Sequence, residues 1–472
     1  MLKALQQICV GLLLLPAASL WSQVDNTPAA PTTANVGAQN TPAPPVPAVV
    51  GTQDSGDRML TPPPVSGQSF PNLPTSEERA NYLRGGLAFT GAYTDNALGS
   101  VTPKPVSDVS YSIAPFITLD ETTPRLHIVT TYAPGFTFYQ KYSSRNEQDQ
   151  NASINLQYRL SPHVTFSAVD GFQKSSNVFN QPDLASAGAV SGATEQSNFS
   201  VIAPIADLLR NTGNADITYQ FAANSMVGAS GTFTNLHYPD QSEVPGLFDA
   251  SSQAGSAFYA SRISRMHYVG LTYQYQRLIT YLPEGQDETQ TQAVLLFYTL
   301  YASSRFSMSF FGGPQYSDTT LPPLSPVVPQ APALRGWTPA AGGSLGWQAR
   351  LTSLALSYAH TISGGGGLAG AVHMDNASLS IRQQMTRNLS GTIAGGYTQN
   401  DLLTSAVAAG LNGHTVSGTA SLQRQFGQHT NVQLGYTRLH QNYSDVAVLA
   451  ATPNTNREFV SISYQFSRPL GR

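Results

Sequence analysis

The stretch Arg457-Glu458-Phe459-Val460-Ser461-Ile462-Ser463-Tyr464-Gln465-Phe466 decides the fold. A strand sends successive side chains to opposite faces, so Val460, Ile462, Tyr464 and Phe466 share one face, with Ser461, Ser463 and Gln465 on the other. In a soluble sandwich the apolar face would turn inward. Here the pattern recurs about every twenty residues along most of the chain, always with Ser, Thr, Gln or Gly opposite the apolar set. A sheet closed on itself, with lipid outside and water inside, fits that alternation and satisfies every backbone group.

Working outward from this strand, the chain from Arg84 onward reads as hairpins. One set of connections is short and often carries Arg or His, as in Ser161-Pro162-His163, Arg265-Met266-His267 and Gly427-Gln428-His429. The other set is longer, including Ser175 to Asn211, Tyr238 to Gly255, Asp318 to Trp337, Asp401 to Gly413 and Ser444 to Asn456. Short turns on one rim and long loops on the other predict a transmembrane antiparallel up-and-down β-barrel. The pass gives about 18 strands, with 16 the alternative. Its segments include Gly213 to Ala223, Ala254 to Ile263, Thr289 to Ala302, Thr338 to Arg350 and Gly370 to Met385. An even count places both termini on the short-turn side, the periplasm.

Parity assigns the faces. Ile154, Leu156 and Tyr158 are expected to meet lipid, with Ser153, Asn155, Gln157 and Arg159 facing the lumen. Val416, Gly418, Ala420 and Leu422 oppose Ser417, Thr419, Ser421 and Gln423 in the same way, as do Val269, Leu271, Tyr273 and Tyr275 against Thr272, Gln274 and Gln276. The strand from Ala293 to Tyr301 is apolar on both faces, which predicts a loop lying over its inner side.

The N-terminus supplies the compartment. Lys3, the apolar run Ile8 to Leu15 and the small residues Ala17-Ala18-Ser19 make residues 1–22 a secretory signal. That run is too short for a spanning helix. Cys9, the only cysteine, lies within the signal, so the mature chain has no disulfide, thiol nucleophile or thiolate metal site. Residues 23–83 are a Pro/Ala/Thr-rich segment, with Thr41-Pro42-Ala43-Pro44-Pro45-Val46-Pro47 at its heart. Such composition cannot bury enough apolar surface to offset its ordering entropy and predicts disorder. Extended, it would reach on the order of 150 Å, enough for a passive periplasmic linker or for an arm contacting peptidoglycan or a periplasmic partner.

Charged residues make up 11% of the chain, far below a soluble domain, and no long hydrophobic run accompanies them. The formal net charge is −3. Removing the signal takes one lysine and no acid, so nothing favours nucleic acid.

On these residues the chain resembles porin-like outer-membrane β-barrels of Gram-negative bacteria, in particular uncharacterised large barrels with Arg-containing periplasmic turns. The likeness covers residues 84–472. It is carried by Phe311-Gly312-Gly313-Pro314-Gln315-Tyr316, by Leu434-Gly435-Tyr436-Thr437-Arg438-Leu439-His440, and by Val460 to Pro469. The resemblance implies assembly in the outer membrane by the barrel assembly machinery, and trimers are common among such barrels. Some stand beside exopolysaccharide export systems. One departure is that Phe466 is followed by Ser467 to Arg472, where such barrels usually end on an aromatic residue.

Chemistry-bearing patterns are sparse. None of the nine histidines forms an H-E-x-x-H spacing. His373 and Asp375 share a strand face and read as a solvated pair. Ser357 and His360 have opposite parity, which argues against a barrel-embedded hydrolase. Gly364 to Gly367 lack the Lys and Ser/Thr of a phosphate-binding loop and read as a flexible hairpin loop. No catalytic, cofactor or metal residue is assigned.

The long loop holds an apolar run, Asn198 to Asn211, expected either to fold into the mouth as a constriction, with Asp207 and Arg210 setting its charge, or to cap the rim. Gln157, Arg159, Arg350, Arg382 and Gln465 are expected to line the lumen, where charge tunes selectivity. The leading function is a porin-like channel for passive passage of small hydrophilic solutes or saccharides. A closed scaffold barrel, as an accessory to polysaccharide export, is the alternative, and an embedded hydrolase a weaker one.

Overall fold

The computed structural model describes residues 81–97, 105–175, 201, 207–283, 285–303, 305–320, 333–403, 412–443, 446 and 454–470. Residues 1–80, with the expected signal and most of the expected Pro-rich segment, lie outside these residues, and Tyr82 and Leu83 at the end of that segment already belong to β1. All eighteen expected strands form: β1 (Tyr82–Thr94), β2 (Asp108–Thr122), β3 (Leu126–Tyr139), β4 (Glu147–Arg159), β5 (Val164–Ser175), β6 (Leu208–Ala222), β7 (Ser225–His237), β8 (Asp249–Arg262) and β9 (His267–Leu282) in the first half. The second half holds β10 (Gly285–Ser303), β11 (Phe306–Thr320), β12 (Leu334–Gln348), β13 (Thr352–Gly364), β14 (Ala371–Thr386), β15 (Leu389–Leu402), β16 (Gly413–Phe426), β17 (Thr430–Tyr443) and β18 (Asn454–Pro469).

Each strand pairs antiparallel with its sequence neighbours, and β1 closes the sheet on β18, from Tyr82↔Pro469 to Thr94↔Arg457. Followed around the wall, the registers return about 22 residues further along β1, a stagger that tilts eighteen strands by roughly 40° from the barrel axis.

Burial is inverted relative to a soluble protein. Leu87, Phe89, Ile113, Leu271, Tyr273, Val294, Leu296, Leu422, Val460, Ile462 and Tyr464 are exposed, whereas Thr90, Ser112, Thr272, Thr291, Ser421, Ser461 and Ser463 are buried. The apolar set is exposed because it faces outward, where only lipid would remove it from water.

Several strands run further toward the loop rim than the alternation indicates. β6 begins at Leu208, β8 at Asp249, β10 at Gly285 and β12 at Leu334. These upper segments stand near or above the lipid, so the ladder continues where the outward positions no longer need to be apolar. The run ending at Asn211 is therefore partly strand, and Arg210 belongs to the wall and not to a loop.

Candidate functional site

The inner wall divides into two kinds of surface. Much of it is knitted by cross-strand hydroxyl pairs: Thr90 with Ser461 at 2.9 Å, Ser112 with Thr137 at 3.0 Å, Ser230 with Ser256 at 2.8 Å, and Thr419 with Thr437 at 3.2 Å. Most of these paired side chains are buried, whereas inward-facing Ser153 and Asn155 on β4 are exposed. Along β7–β13 an apolar cluster interrupts this polar inner face, with Met226, Tyr268, Leu295, Phe297, Tyr301 and Phe311 packed together. Phe297 lies across Gly270, where an added Cβ would stand 2.3 Å from both the ring and the Tyr259 carbonyl. The inner side of β10 is thus covered by neighbouring strands' side chains and not by a loop, because the aromatic rings lie flat over glycines on the adjacent strands.

The described residues bridge the loop-rim mouth. One buried apolar cluster joins Leu208 on β6 and Leu236 on β7 to Val372 and Met374 on β14, Leu402 on β15 and Tyr443 on β17. Those strands stand on opposite sides of the barrel. Loop residues fill the space between them: Val201 before β6, Tyr238, Val244 and Leu247 between β7 and β8, Leu368 between β13 and β14, and Val446 between β17 and β18. Val244, Leu368, Val372 and Tyr443 are fully buried. By the usual conversion of buried apolar area, each such side chain contributes about 1.5–3 kcal/mol to keeping the loops together.

The β13–β14 hairpin holds the centre of this lid. Its tip leaves the wall and crosses the mouth: the Phe248 amide donates to the Gly367 carbonyl at 2.7 Å, the Ile362 amide donates to Gln315 Oε1 at 3.2 Å, and Leu278, Ile362 and Ala371 pack together. Gly366, Gly367 and Gly370 have φ of 65°, 106° and 119°, which L side chains rarely adopt. A Cβ at Gly367 would meet the Tyr238 hydroxyl at 2.8 Å, and one at Gly370 would meet Asp287 Oδ2 at 2.8 Å. The glycine run is therefore not a free loop tip. It is what lets a backbone turn back on itself inside a crowded mouth.

Charge gathers at the loop ends of β5, β6 and β18. Arg210 faces inward on β6, is 8% exposed, and donates from NH1 to Gln173 Oε1 at 3.4 Å. Asp207 pairs with Lys174 Nζ at 2.9 Å just before β6 begins. Tyr238 is buried against the lid, and that burial holds its hydroxyl well above the usual phenol range. Arg457 faces inward on β18 with its guanidinium 5.6 Å from the Phe459 ring centroid.

The residues expected to line the lumen fall as follows. Gln157 and Arg159 on β4, Arg382 on β14 and Gln465 on β18 sit at inward positions. Arg350 does not: it is exposed in the short turn after Gln348, where the strand has ended. Of Asn198 to Asn211, only Val201 and residues 207–211 are described; Val201 is buried in the lid.

His360 Nδ1 lies 2.9 Å from Asp375 Oδ1, which also accepts from the Tyr358 hydroxyl at 2.7 Å, and the His373 ring stacks on His360 at 6.1 Å. This group faces outward. Ser357 faces inward and shares a hydrogen bond with Ser378 at 2.7 Å. Among the described residues no group of three or more His, Cys, Asp or Glu could hold a metal ion.

A closed eighteen-stranded wall, lipid-facing outside and hydroxyl-lined within, settles the class. The chain is a closed eighteen-stranded transmembrane antiparallel β-barrel. No protein-family model and no curated protein matches it. Solved structures similar to it include Pseudomonas aeruginosa OccK2 (OpdF), at 10% identity and a TM-score of 0.42 over 82% of this chain and 98% of that one. The outer membrane protein OpdK of the same organism follows at 9% identity and 0.39, over 83% and 100%. Acinetobacter baumannii OccAB4 is similar at 10% identity and 0.39, again over 83% and 100%. These identities are too low to carry any residue's role across to this barrel.

Proposed function

We propose that this protein is an outer-membrane channel for passive passage of small hydrophilic solutes, closed at its loop-rim mouth in the conformation described. Eighteen strands enclose a lumen too wide for wall side chains to fill. One observation carries the reading: hydroxyl pairs knit much of the inner wall, while Val201, Tyr238, Val244, Leu247, Leu368 and Val446, which fill the mouth between apolar wall residues, come from separate loops and the β13–β14 hairpin. A barrel built only as a scaffold would need no water-lined interior. Tyr82 and Pro469 meet at the short-turn rim, which supports a barrel whose two described ends face the periplasm.

Osmotic swelling of proteoliposomes tests this. The chain with residues 364–370 replaced by Asn-Gly is expected to pass a pentose at least tenfold faster than the unaltered chain, and saccharides of increasing size at falling rates. Equal rates in a correctly inserted barrel would reject the channel in favour of the scaffold.

A further inference from the structure

Among the described residues, β12 and β13 part on the loop-rim side of the wall. Their ladder runs only from Ala341↔His360 to Gln348↔Ser353. Above it, Leu334 to Ala340 pair with β11 alone and Thr361 to Gly364 with β14 alone. The split arises because the upper part of β13 follows the hairpin inward, as the hydrogen bond from the Ile362 amide to the inward-facing Gln315 shows.

Two tryptophans mark the depth of the split. Trp337 and Trp347 both face outward on β12, 71% and 42% exposed. They are ten residues apart, which at a 40° tilt is roughly 25 Å along the membrane normal, the height of the apolar band of such a barrel. Tryptophans so spaced fit the two interfaces. The split opens at Ala340 and Ala341, so it begins about 10 Å inside the outer leaflet and rises to the level of Trp337. A bare strand edge is not tolerated by hydrocarbon alone, because its backbone groups need polar partners.

Pro339 lies within this edge and has no N–H to offer, which disfavours a protein strand adding to β12. The β12 flank grades from apolar to polar with height: Ala341 below, then Trp337, then exposed Arg335, held by Asp318 at 3.0 Å. Tyr316 packs against Trp337 at 5.1 Å.

We propose that this split is a lateral portal for single-chain amphiphiles. The polar head hydrogen-bonds the open edge of β12 near Arg335, the acyl tail stays in the outer leaflet beside Trp337 and Ala341, and the inward-folded hairpin closes the inner side. The proposal rests on the channel reading for its closed mouth. It adds a second route, through the wall, for a second class of solute.

The mature chain contains no cysteine, so engineered thiols report cleanly. Continued upward, the β12–β13 register would place Thr338 opposite Ser363, within disulfide reach. The double variant Thr338→Cys/Ser363→Cys is therefore expected to stay reduced in proteoliposomes, while Thr90→Cys/Ser461→Cys, whose native hydroxyls are 2.9 Å apart, oxidises spontaneously. Joining residues 338 and 363 with a short bis-maleimide is expected to slow uptake of radiolabelled laurate at least tenfold and to leave pentose flux through the hairpin-shortened barrel unchanged. Trp337 fluorescence, read in a Trp347→Phe background, should be quenched by brominated laurate. Spontaneous oxidation of the 338/363 pair, or laurate uptake unaffected by the bridge, would overturn the portal. Failure of the hairpin-shortened chain to pass pentose would strike the channel reading alone.

Discussion

Inward parity means opposite things at the two ends of this barrel. On β4, Ser153 and Asn155 face inward and are exposed within the lumen. On β14, Val372 and Met374 face inward and are buried, 0% and 1% exposed, against residues from the opposite wall. The same alternation of side chains thus produces a wet wall in the middle of the barrel and a dry seal at its mouth. The difference lies in what each inward residue meets: solvent where the wall stands alone, other apolar side chains where loops fold across. Lipid fixes the outer face throughout, but nothing obliges the inner face to stay polar once the lumen is filled.

The largest effect should come from the outer face. Leu296→Arg places a charge where Leu296 is 59% exposed to the apolar band, and is expected to cost about 2–4 kcal/mol of barrel stability. Ser463→Arg, on the inner face, should cost far less, and urea titration of the folded barrel in lipid vesicles checks both. Equal costs would mean that the faces are assigned wrongly.

At the mouth, Leu368→Ala removes a fully buried side chain and should weaken the lid by about 2–5 kcal/mol while leaving the wall intact. Open-channel events should then become frequent in planar bilayers without any change in the urea midpoint of the barrel. A loss of barrel stability with no gain in current would show that the cluster is wall and not lid.

A smaller contrast separates two glycines. Gly270→Ala forces a Cβ against Phe297 and the Tyr259 carbonyl, and is expected to destabilise the wall by about 1–3 kcal/mol. Gly418→Ala has nothing within 4 Å and should be neutral in the same titration. The smallest effect belongs to Gln157→Ala in the open lumen. It should leave stability unchanged and alter only solute selectivity, read from reversal potentials.

How much of this was legible in the sequence follows from the same contrast. Wherever lipid constrains one face, the alternation shows plainly: Val460 to Phe466 on β18 and Ile154 to Tyr158 on β4 announce both strand and facing. The upper ends of β6, β8, β10 and β12 were not legible, because above the lipid a strand needs only ladder hydrogen bonds. The lid was hidden for a related reason. Gly364 to Gly370 looks like any loop, and only the structure brings its positive-φ residues against Tyr238 and Asp287. A signal was nonetheless present: inward positions at the loop ends of β6, β7, β14, β15 and β17 are Leu, Val, Met or Tyr where Ser or Thr would be expected. Arg350 was misplaced because parity was extended past Gln348, where the strand stops.

The central claim is that a water-lined barrel is held shut by the β13–β14 hairpin, and single-channel current tests it most directly. A protein of residues 23–472 should insert into a planar bilayer and remain almost silent, while replacing residues 364–370 by Asn-Gly should give stable conductance steps in most insertions. Large steps from the unaltered chain, unchanged by the replacement, would contradict the account by showing a mouth that the hairpin does not close.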